Sequence, residues 1–369
     1  MTPPDDETLE DQMSLKMPVV WNADSLRHDP NGEVWVGVRT EGSERPSRIS
    51  AIREELALEG SCEVESTRHG QEPILRVHSQ GLLDYLSEAW DQWQDSTLMT
   101  DPGQDRVVPY LFPHPGLIGS LPLAEPSAAA ARAGLYAYDT MTLIGPGTWT
   151  AARSAADAAL TAVDLVSAGE SCAYALCRPP GHHATRTAFG GSCYLNNSAI
   201  AAAGLRAANG KKVAVIDIDA HHGNGTQSIF YEDALVLTAS VHVDPGAGWF
   251  PHFLGFGSEK GEAAGSGANL NLPLAPGSDD ETWLAAIRSA ISWAESAEAD
   301  SLVVALGVDA AADDPESPLE VSPDGYTKAG EMLGSLGLPT VIIQEGGYDL
   351  DRIGELVART LAGFETARP

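Results

Sequence analysis

The chain of 369 residues has few cysteines and no long apolar run. Its four cysteines include no Cys-x-x-Cys pair, which argues against a zinc ribbon or a disulfide framework and fits a reducing cytoplasm. No apolar run reaches about 18 residues, so the sequence predicts no membrane span. Residues 1–18 are polar and acidic, unlike a signal peptide, and predict a disordered N-terminal tail.

Basic residues are also scarce. The chain has 22 Lys and Arg residues and 52 Asp and Glu residues, which gives a formal net charge of −30. A nucleic-acid-binding protein needs a basic face, so the composition argues against such a partner. Two interpretations of the charge stay open: a field that attracts cationic substrates, or a generally acidic, soluble surface. The acidic residues are spread along the chain, which favours the second interpretation.

Apolar runs that end in polar residues alternate with Ala-rich helical patterns. The runs lie at 172–177, 213–218, 235–239, 301–306 and 340–344. The helical patterns lie at 149–169, 197–208, 281–298 and 324–337. This alternation predicts a parallel sheet covered by helices on both faces, as one α/β domain over 19–369. The less regular region of about 19–130 is expected to wrap an edge of the sheet or form the rim of a pocket.

The run at 213–218 leads into a cluster of carboxylates and imidazoles. Asp219 and His221 are two residues apart, so in extended geometry their side chains point the same way. Ligands collect at the carboxyl ends of strands in open α/β sheets. Asp309, which follows another run, is the best-placed third ligand. These residues predict a catalytic Zn²⁺ site with one open position, and Fe²⁺ would accept the same ligands.

Two carboxylates and one imidazole leave a bound Zn²⁺ with little net charge, so a general base is needed nearby. The tandem His182 and His183 supply candidates that titrate near the working pH. Tyr348, after two glycines, can donate a hydrogen bond to a developing oxyanion. Asp217 and Asn224 can hold the two histidines, and the histidine that faces the carboxylate should stay protonated more readily.

The remaining histidines of these segments have plainer interpretations. His222 alternates to the other side of the chain from His221 and is expected to be structural. His242 and His252 are each expected to be buried histidines with satisfied hydrogen bonds. Taken singly, an Asp at a strand end is most often a helix cap or turn residue. The joint placement of these groups at several strand ends is what favours chemistry.

Six motifs, in this order along the chain, resemble those of the histone deacetylase family. They are Arg178–Ala184, Gly190–Asn197, Asp217–Gln227, Ser240–His242, Gly307–Pro315 and Gln344–Tyr348. Further segments are similar to the bacterial acetylpolyamine amidohydrolase branch, namely 134–139, 147–152, 243–245, 269–274 and 338–344. The resemblance implies an arginase/deacetylase-like, three-layer α/β/α sandwich around an eight-stranded, mainly parallel sheet. It implies hydrolysis of an acetylated amine to acetate and the free amine.

The resemblance also implies roles for individual residues. His183 would be the general base and acid, and His182 its electrostatic partner. Tyr348 would polarise the acetyl carbonyl, and the carbonyl of Gly191 would accept the substrate N–H. The zinc ligands that the resemblance implies agree with the three chosen from spacing.

The family suggests, in addition, a structural K⁺ site. Its ligands here would be Asp217, Asp219, Ser240 and the backbone of His221 and Val241.

Two positions depart from the family pattern. Ser192 stands where many relatives have an aromatic residue that lines the substrate tunnel, so the tunnel is expected to be wider or more polar on that wall. Phe250 or Trp249 would supply the opposite wall. Asp313 stands where relatives often have glycine. Its carboxylate would either favour a cationic substrate or be a solvated loop charge.

The leading hypothesis is a zinc-dependent amidohydrolase of the cytoplasm that deacetylates small acetylated amines, polyamines first. The alternatives are a deacetylase of acetyl-lysine proteins, a deacylase of another small metabolite, and a non-catalytic homologue that binds metal or acyl-amines. The segment 82–116, with several aromatic residues and prolines, is a candidate rim or dimerisation insertion that would make a homodimer. An ordinary rim loop is the alternative for this segment.

Overall fold

The computed structural model describes residues 15–96 and 103–369. The strands are β1 (Pro18–Trp21), β2 (Glu33–Trp35), β3 (Val38–Thr40), β4 (Cys62–Glu65), β5 (Cys172–Ala175), β6 (Val213–Asp217), β7 (Val236–Val243), β8 (Asn269–Leu274), β9 (Ser301–Leu306) and β10 (Thr340–Gln344). The helices are α1 (Ser47–Leu58), α2 (Glu72–Leu75), α3 (Gln80–Asp95), α4 (Pro115–Ile118), α5 (Ala129–Tyr136), α6 (Thr148–Ser167), α7 (Asn197–Asn209), α8 (Asn224–Phe230), α9 (Asp280–Ser296), α10 (Pro323–Gly334) and α11 (Ile353–Thr366).

One sheet organises the molecule. Eight strands pair in the order β4-β1-β5-β10-β9-β6-β7-β8, and every neighbouring pair is parallel. The carboxyl ends of the strands therefore meet at one edge, where the polar residues that follow them are brought together. The hairpin of β2 and β3 stands apart as a separate antiparallel pair. The predicted eight-stranded sheet is confirmed.

Helices cover both faces of this sheet, as the sequence predicts. Strands β5, β6, β9 and β10 are buried along their whole length, which is why they are apolar runs rather than alternating patterns. One apolar cluster packs α1, α9, α10 and α11 against the sheet. A second cluster packs α3, α6 and α7 against the other face. The result is the predicted three-layer sandwich.

Local signals set the ends of these helices. The side chain of Asn196 accepts a hydrogen bond from the Ala199 N–H at the start of α7, and the helix ends at Gly210 in the left-handed region, with φ of 69°. Helix α9 starts in the same way, at Asp279. All four predicted helices are confirmed within a few residues. Among the described residues, no helix combines the length and apolar character that crossing a bilayer requires.

The predicted N-terminal tail extends too far. Leu15 and Met17 are 4% and 2% exposed, and the Leu15 N–H donates to the Glu59 carbonyl at 3.0 Å. Residues 15–18 thus belong to the fold, because these apolar side chains pack into the core beside β1. The part of the predicted tail at 1–14 lies outside the described residues.

The segment 82–116 divides into two unlike parts. Leu82, Leu83 and Leu86 of α3 are buried in the second apolar cluster, and α3 packs against α5, so the first part is an amphipathic core helix rather than a rim loop. Most of 103–116 is irregular, and α4 begins at its end. Residues 97–102, which fall within the segment, lie outside the described residues. Its part in a dimer stays a prediction.

Candidate active site

Three predicted ligands meet where β6 and β9 end. The ligand atoms of Asp219, His221 and Asp309 all lie within 4.8 Å of one another. His221 Nδ1 is 2.9 Å from a carboxylate oxygen of Asp309 and 3.3 Å from one of Asp219. The backbone fixes both carboxylates, because the Ala220 N–H donates to Asp309 at 2.8 Å and the Gly346 N–H donates to Asp219 at 2.7 Å.

These three residues suit a divalent cation. Asp219 and Asp309 are both 0% exposed, and neither pairs with a Lys or Arg among the described residues. Burial and the neighbouring charge of Asp219 raise the pKa of Asp309 to about 7, so ionising both carboxylates is costly and a bound cation would favour it. A side chain at Gly346 would place its Cβ 2.5 Å from Asp219 and 2.6 Å from Asp309, so glycine is required there. A buried set of two carboxylates and one imidazole fits Zn²⁺ or Fe²⁺.

The tandem histidines lie beside this cluster in unlike environments. His182 Nδ1 is 2.9 Å from Asp217, and His183 Nδ1 is 2.6 Å from the side-chain oxygen of Asn224. Burial opposes a charge on His182, but the carboxylates of Asp219 and Asp217 outweigh burial and raise its pKa to about 10. Burial, together with the charges of His182 and His221, lowers the pKa of His183 well below its usual value. The structure therefore pairs a charged imidazole with a neutral one.

Tyr348 enters the site from the loop after β10. Its backbone N–H donates to Asp314 at 2.8 Å, and the guanidinium of Arg48 lies 4.7 Å from the centre of its ring. Arg48 also donates to the Gly347 carbonyl at 2.6 Å, which pins the loop. Burial raises the pKa of Tyr348 well above its usual value, so the phenol stays protonated and can donate.

Tyr348, His183 and His221 line one cavity of about 540 Å³. The predicted substrate-binding residues Gly191, Ser192 and Phe250 line it too. The Phe250 ring packs edge-on against His183, with 4.9 Å between ring centres.

Gly191 must be glycine. Its φ is 57°, and a Cβ there would lie 2.4 Å from the His183 ring. The chain can therefore approach the His183 ring closely at this position.

The groups predicted for K⁺ also lie near one another. Asp217 and Ser240 occupy paired positions on β6 and β7, and Val241 follows Ser240 along β7. The backbone turns tightly after β6, since the Asp219 N–H donates to Asp217 at 3.1 Å and the His221 N–H donates to Asp219 at 2.8 Å. The K⁺ site itself stays a prediction.

Two histidines behave as expected. His222 is buried, with Nε2 at 3.1 Å from Gln227 and 3.2 Å from Asn271, and lies away from the cavity. His242 is buried, and its two ring nitrogens lie 2.8 Å from Ser240 and from the Gly255 carbonyl.

Some other expectations need correction. His252 is exposed at the cavity instead of buried, because it lies in an irregular loop after β7 rather than on a strand. Strand β7 runs beyond the predicted end at 239, because Ser240 to Val243 pair with β8.

Asp313 is a solvent-exposed loop residue with φ of 73°, a conformation that Asp tolerates better than most residues. It does not line the cavity.

Some supporting residues escaped the sequence reasoning. Asp139 accepts from the Gly191 N–H at 2.6 Å, and the Tyr138 hydroxyl donates to the His183 carbonyl at 2.9 Å. Glu345 accepts from the Gly181 and His182 N–H groups at 2.6 and 3.1 Å. Asp139 and Glu345 lie inside segments that resemble the family, and this position is the only sequence signal that could have pointed to their roles. Their roles depend on contacts across long sequence separations.

Comparisons with known proteins agree with this geometry. Residues 42–364 match the family model described as the histone deacetylase domain. The chain is 40% identical over 350 residues to acetylpolyamine amidohydrolase 2 of Pseudomonas aeruginosa. The aligned region covers 95% of this chain and 99% of that protein. It is 36% identical over 348 residues to the acetylpolyamine amidohydrolase of Mycoplana ramosa. The aligned region covers 94% of this chain and 99% of that protein. The chain belongs to the histone deacetylase family.

A crystal structure of the acetylpolyamine aminohydrolase from Burkholderia pseudomallei is also similar to this deacetylase. The two share 36% identity with a TM-score of 0.88, over 96% of this chain and all of the other. The predicted arginase/deacetylase-like fold is thereby confirmed. The protein is a deacetylase, a hydrolase that acts on amide C–N bonds, and its family is generally metal dependent.

Proposed function

We propose that this deacetylase removes acetyl groups from small acetylated amines, acetylpolyamines first, with Zn²⁺ as its metal. The observation that carries the proposal is the cluster of Asp219, His221 and Asp309 below a cavity that His183 and Tyr348 line. The similar proteins named acetylpolyamine amidohydrolases support the choice of substrate.

Asp219, His221 and Asp309 would hold the metal. When bound, Zn²⁺ would polarise the acetyl carbonyl and acidify the attacking water. Fe²⁺ would suit the same ligands. We include in the proposal a structural K⁺ held by oxygens of Asp217, Asp219, Ser240 and the backbone of His221 and Val241.

In this proposal His183 carries out the proton transfers, and His182 assists through its charge. His183 is neutral and can take a proton from the water as it attacks the acetyl carbon. The charged His182 beside it, with 4.0 Å between ring centres, favours the negative charge that develops on the acetyl oxygen. His183 then gives its proton to the amine nitrogen as the C–N bond breaks, which yields acetate and the free amine.

Tyr348 and Gly191 orient the amide. The Tyr348 hydroxyl would donate to the acetyl oxygen and would do so most strongly in the transition state. The Gly191 carbonyl would accept the substrate N–H. This carbonyl has a fixed direction, because the Gly191 N–H is held by Asp139 at 2.6 Å.

The charges of the cavity favour a cationic amine. Four glutamates line it, and two of them are already paired: Glu41 with Arg45 at 3.1 Å, and Glu44 with Arg178 at 2.8 Å. The other two, Glu33 and Glu316, have no Lys or Arg partner among the described residues. Burial and the charge of Glu316 raise the pKa of Glu33, as expected for a carboxylate that lacks a cation. An ammonium group on the substrate would relieve this repulsion.

The test is a substrate panel on metal-quantified protein. N-acetylputrescine, acetylspermidine and an acetyl-lysine peptide should each be assayed by release of acetate. We expect the two small amines to have the highest kcat/KM, and chelation followed by Zn²⁺ addition to remove and restore activity. A preference for the peptide would replace the substrate proposal with an acetyl-lysine protein. Turnover that is insensitive to chelation would remove the metal from the mechanism. The cytoplasmic location and the homodimer stay predictions of the sequence.

A further inference from the structure

The two walls of the active-site cavity differ in bulk. Trp249 and Phe250 form one wall, and the Phe250 ring lies edge-on to His183 and His221, with 4.9 and 6.4 Å between ring centres. On another side, the cavity is lined by the small Ser192 and the unbranched Met141. An aromatic ring confines the substrate along the first wall, whereas the side of Ser192 leaves room.

The backbone holds Ser192 at this wall. Its φ is 62°, in the left-handed region, and its N–H donates to the Thr142 hydroxyl at 2.9 Å. The neighbouring Gly191 is held by Asp139 at 2.6 Å. Among the described residues, the Ser192 hydroxyl has no hydrogen-bond partner, although the residue is half-buried. The room beside Ser192 is therefore built into the fold by fixed backbone contacts.

A second, small void adjoins the same wall. It has a volume of about 10 Å³, and its lining includes Leu143 and Tyr194 as well as Ser192 and Met141. A void of this size holds at most about one water molecule, so it gives the substrate room only when the flexible side chain of Met141 moves into it. We call the part of the cavity that Ser192 and Met141 line, together with this adjoining void, the side lobe.

The side lobe lies where the first carbons of the amine would pass. In the proposed function, the Gly191 carbonyl binds the substrate N–H, and Ser192 is the next residue along the chain. A cavity of about 540 Å³ is within the range of pockets that hold drug-sized ligands, so its volume exceeds what a linear acetylated diamine fills. Ser192 is small and the Phe250 ring is bulky, so we assign the extra room to the side of Ser192.

We propose that Ser192 determines substrate specificity, and that the side lobe admits acetylated amines with a ring or branch close to the acetylated nitrogen. This inference rests on the proposed function, because it takes the cavity as the site of the amine. Hydrophobic pockets discriminate by about 10- to 200-fold for each methylene that fits or clashes, so filling the lobe should have a measurable effect.

A matched pair of substrates isolates this effect. N-acetylputrescine is linear, and 4-(acetamidomethyl)piperidine carries a ring; both place a cationic nitrogen four carbons from the amide nitrogen. The quantity to measure is the ratio of kcat/KM for the ring amide to that for the linear amide. Wild type should hydrolyse both. Ser192→Phe, which fills the lobe, should lower the ratio by about tenfold or more.

Two further variants test whether the volume of the side lobe, rather than the Ser192 hydroxyl or misfolding, sets the ratio of kcat/KM. Met141→Phe fills the lobe from its other side, on ordinary backbone, and should lower the ratio in the same direction. It keeps the test available if Ser192→Phe does not fold. Ser192→Ala removes the hydroxyl while keeping the space and should retain the wild-type ratio. Thermal unfolding and metal content identify the variants that are folded.

The outcomes are distinct. An unchanged ratio in the folded filling variants overturns the inference, and so does wild-type hydrolysis of the linear amide without the ring amide. In both cases the proposed function stands. Hydrolysis of neither amide by metal-loaded wild type would overturn the proposed function, and the inference would fall with it.

Discussion

The floor of the cavity and its rim are built in different ways. On the floor, Asp217, Asp219, His182 and Asp309 are at most 3% exposed, and each has a hydrogen-bond partner. At the rim, the hairpin of β2 and β3 has three residues in each strand and leaves Trp35 49% exposed. The floor is held by the ends of one rigid sheet, whereas the rim consists of short and irregular segments.

This difference separates two parts of the function. Groups on the floor act on the acetyl amide itself, which every substrate shares. Groups at the rim meet the amine, which differs between substrates. We therefore expect floor substitutions to lower the turnover of all substrates, and rim substitutions to change the preference among them.

The largest effect should come from a metal ligand. Asp309→Asn removes one of two carboxylates that would hold the cation, so metal content and activity should fall together. Activity should fall by about a thousandfold or more, because the metal contributes several kcal/mol to the transition state. Metal analysis and acetate release measure the two quantities. Asp313→Asn, an exposed change in the same loop, is the control and should retain both; normal activity of Asp309→Asn would refute the ligand assignment.

Tyr348→Phe should come next. It removes one hydroxyl donor to the acetyl oxygen and leaves the three ligands in place. We expect kcat to fall by about 10²- to 10³-fold with unchanged metal content. Tyr110→Phe, at a side chain that is 75% exposed, should behave like wild type. A Tyr348→Phe enzyme with wild-type kcat would remove the phenol from the reaction.

The unlike environments of the two histidines give a third prediction. Asn224→Asp puts a carboxylate 2.6 Å from His183 Nδ1 and should raise the pKa of that imidazole. His183 must be neutral to accept a proton, so a raised pKa moves the acidic limb of the pH–rate profile to higher pH. Activity at neutral pH should fall by roughly 10- to 100-fold. An acidic limb in the same place as in wild type would show that His183 is not the base.

The sequence predicts the floor better than the rim for a physical reason. Asp219, His221, Asp309, His183 and Tyr348 each follow an apolar run that can be recognised as a buried strand. A parallel sheet then brings the carboxyl ends of such strands together, so their proximity follows from the fold.

The rim has no such pattern. Glu33 and Glu316 are 283 residues apart in the chain, and only the tertiary packing of the short strand β2 near the loop after β9 brings both to the cavity. His252 was wrongly expected to be buried for the same reason, since no strand or helix fixes its position. Leu15 and Met17 were missed because the acidic residues that precede them dominate the composition, and the alternation of apolar and polar residues at 13–17 is short.

The smallest effect should come from the rim. Exchanging both Glu33 and Glu316 for Gln removes two charges that lack basic partners. We expect kcat/KM for N-acetylputrescine to fall by roughly three- to tenfold, mostly through KM, because partly exposed charges contribute about 1 kcal/mol or less each. The wild-type advantage should shrink as salt is added, since salt screens exposed charges. Glu41→Gln is the matched control, because Glu41 is already paired with Arg45.

The most direct test compares a cationic and a neutral amide of the same length. N-acetylputrescine and N-pentylacetamide differ in a terminal ammonium or methyl group, and kcat/KM for both should be measured on metal-loaded wild type, Tyr348→Phe and the double variant of Glu33 and Glu316. We predict that Tyr348→Phe lowers both values by the same factor, whereas the double variant lowers the value for N-acetylputrescine alone. Equal losses on both amides in the double variant, or a loss confined to one amide in Tyr348→Phe, would contradict the division between floor and rim.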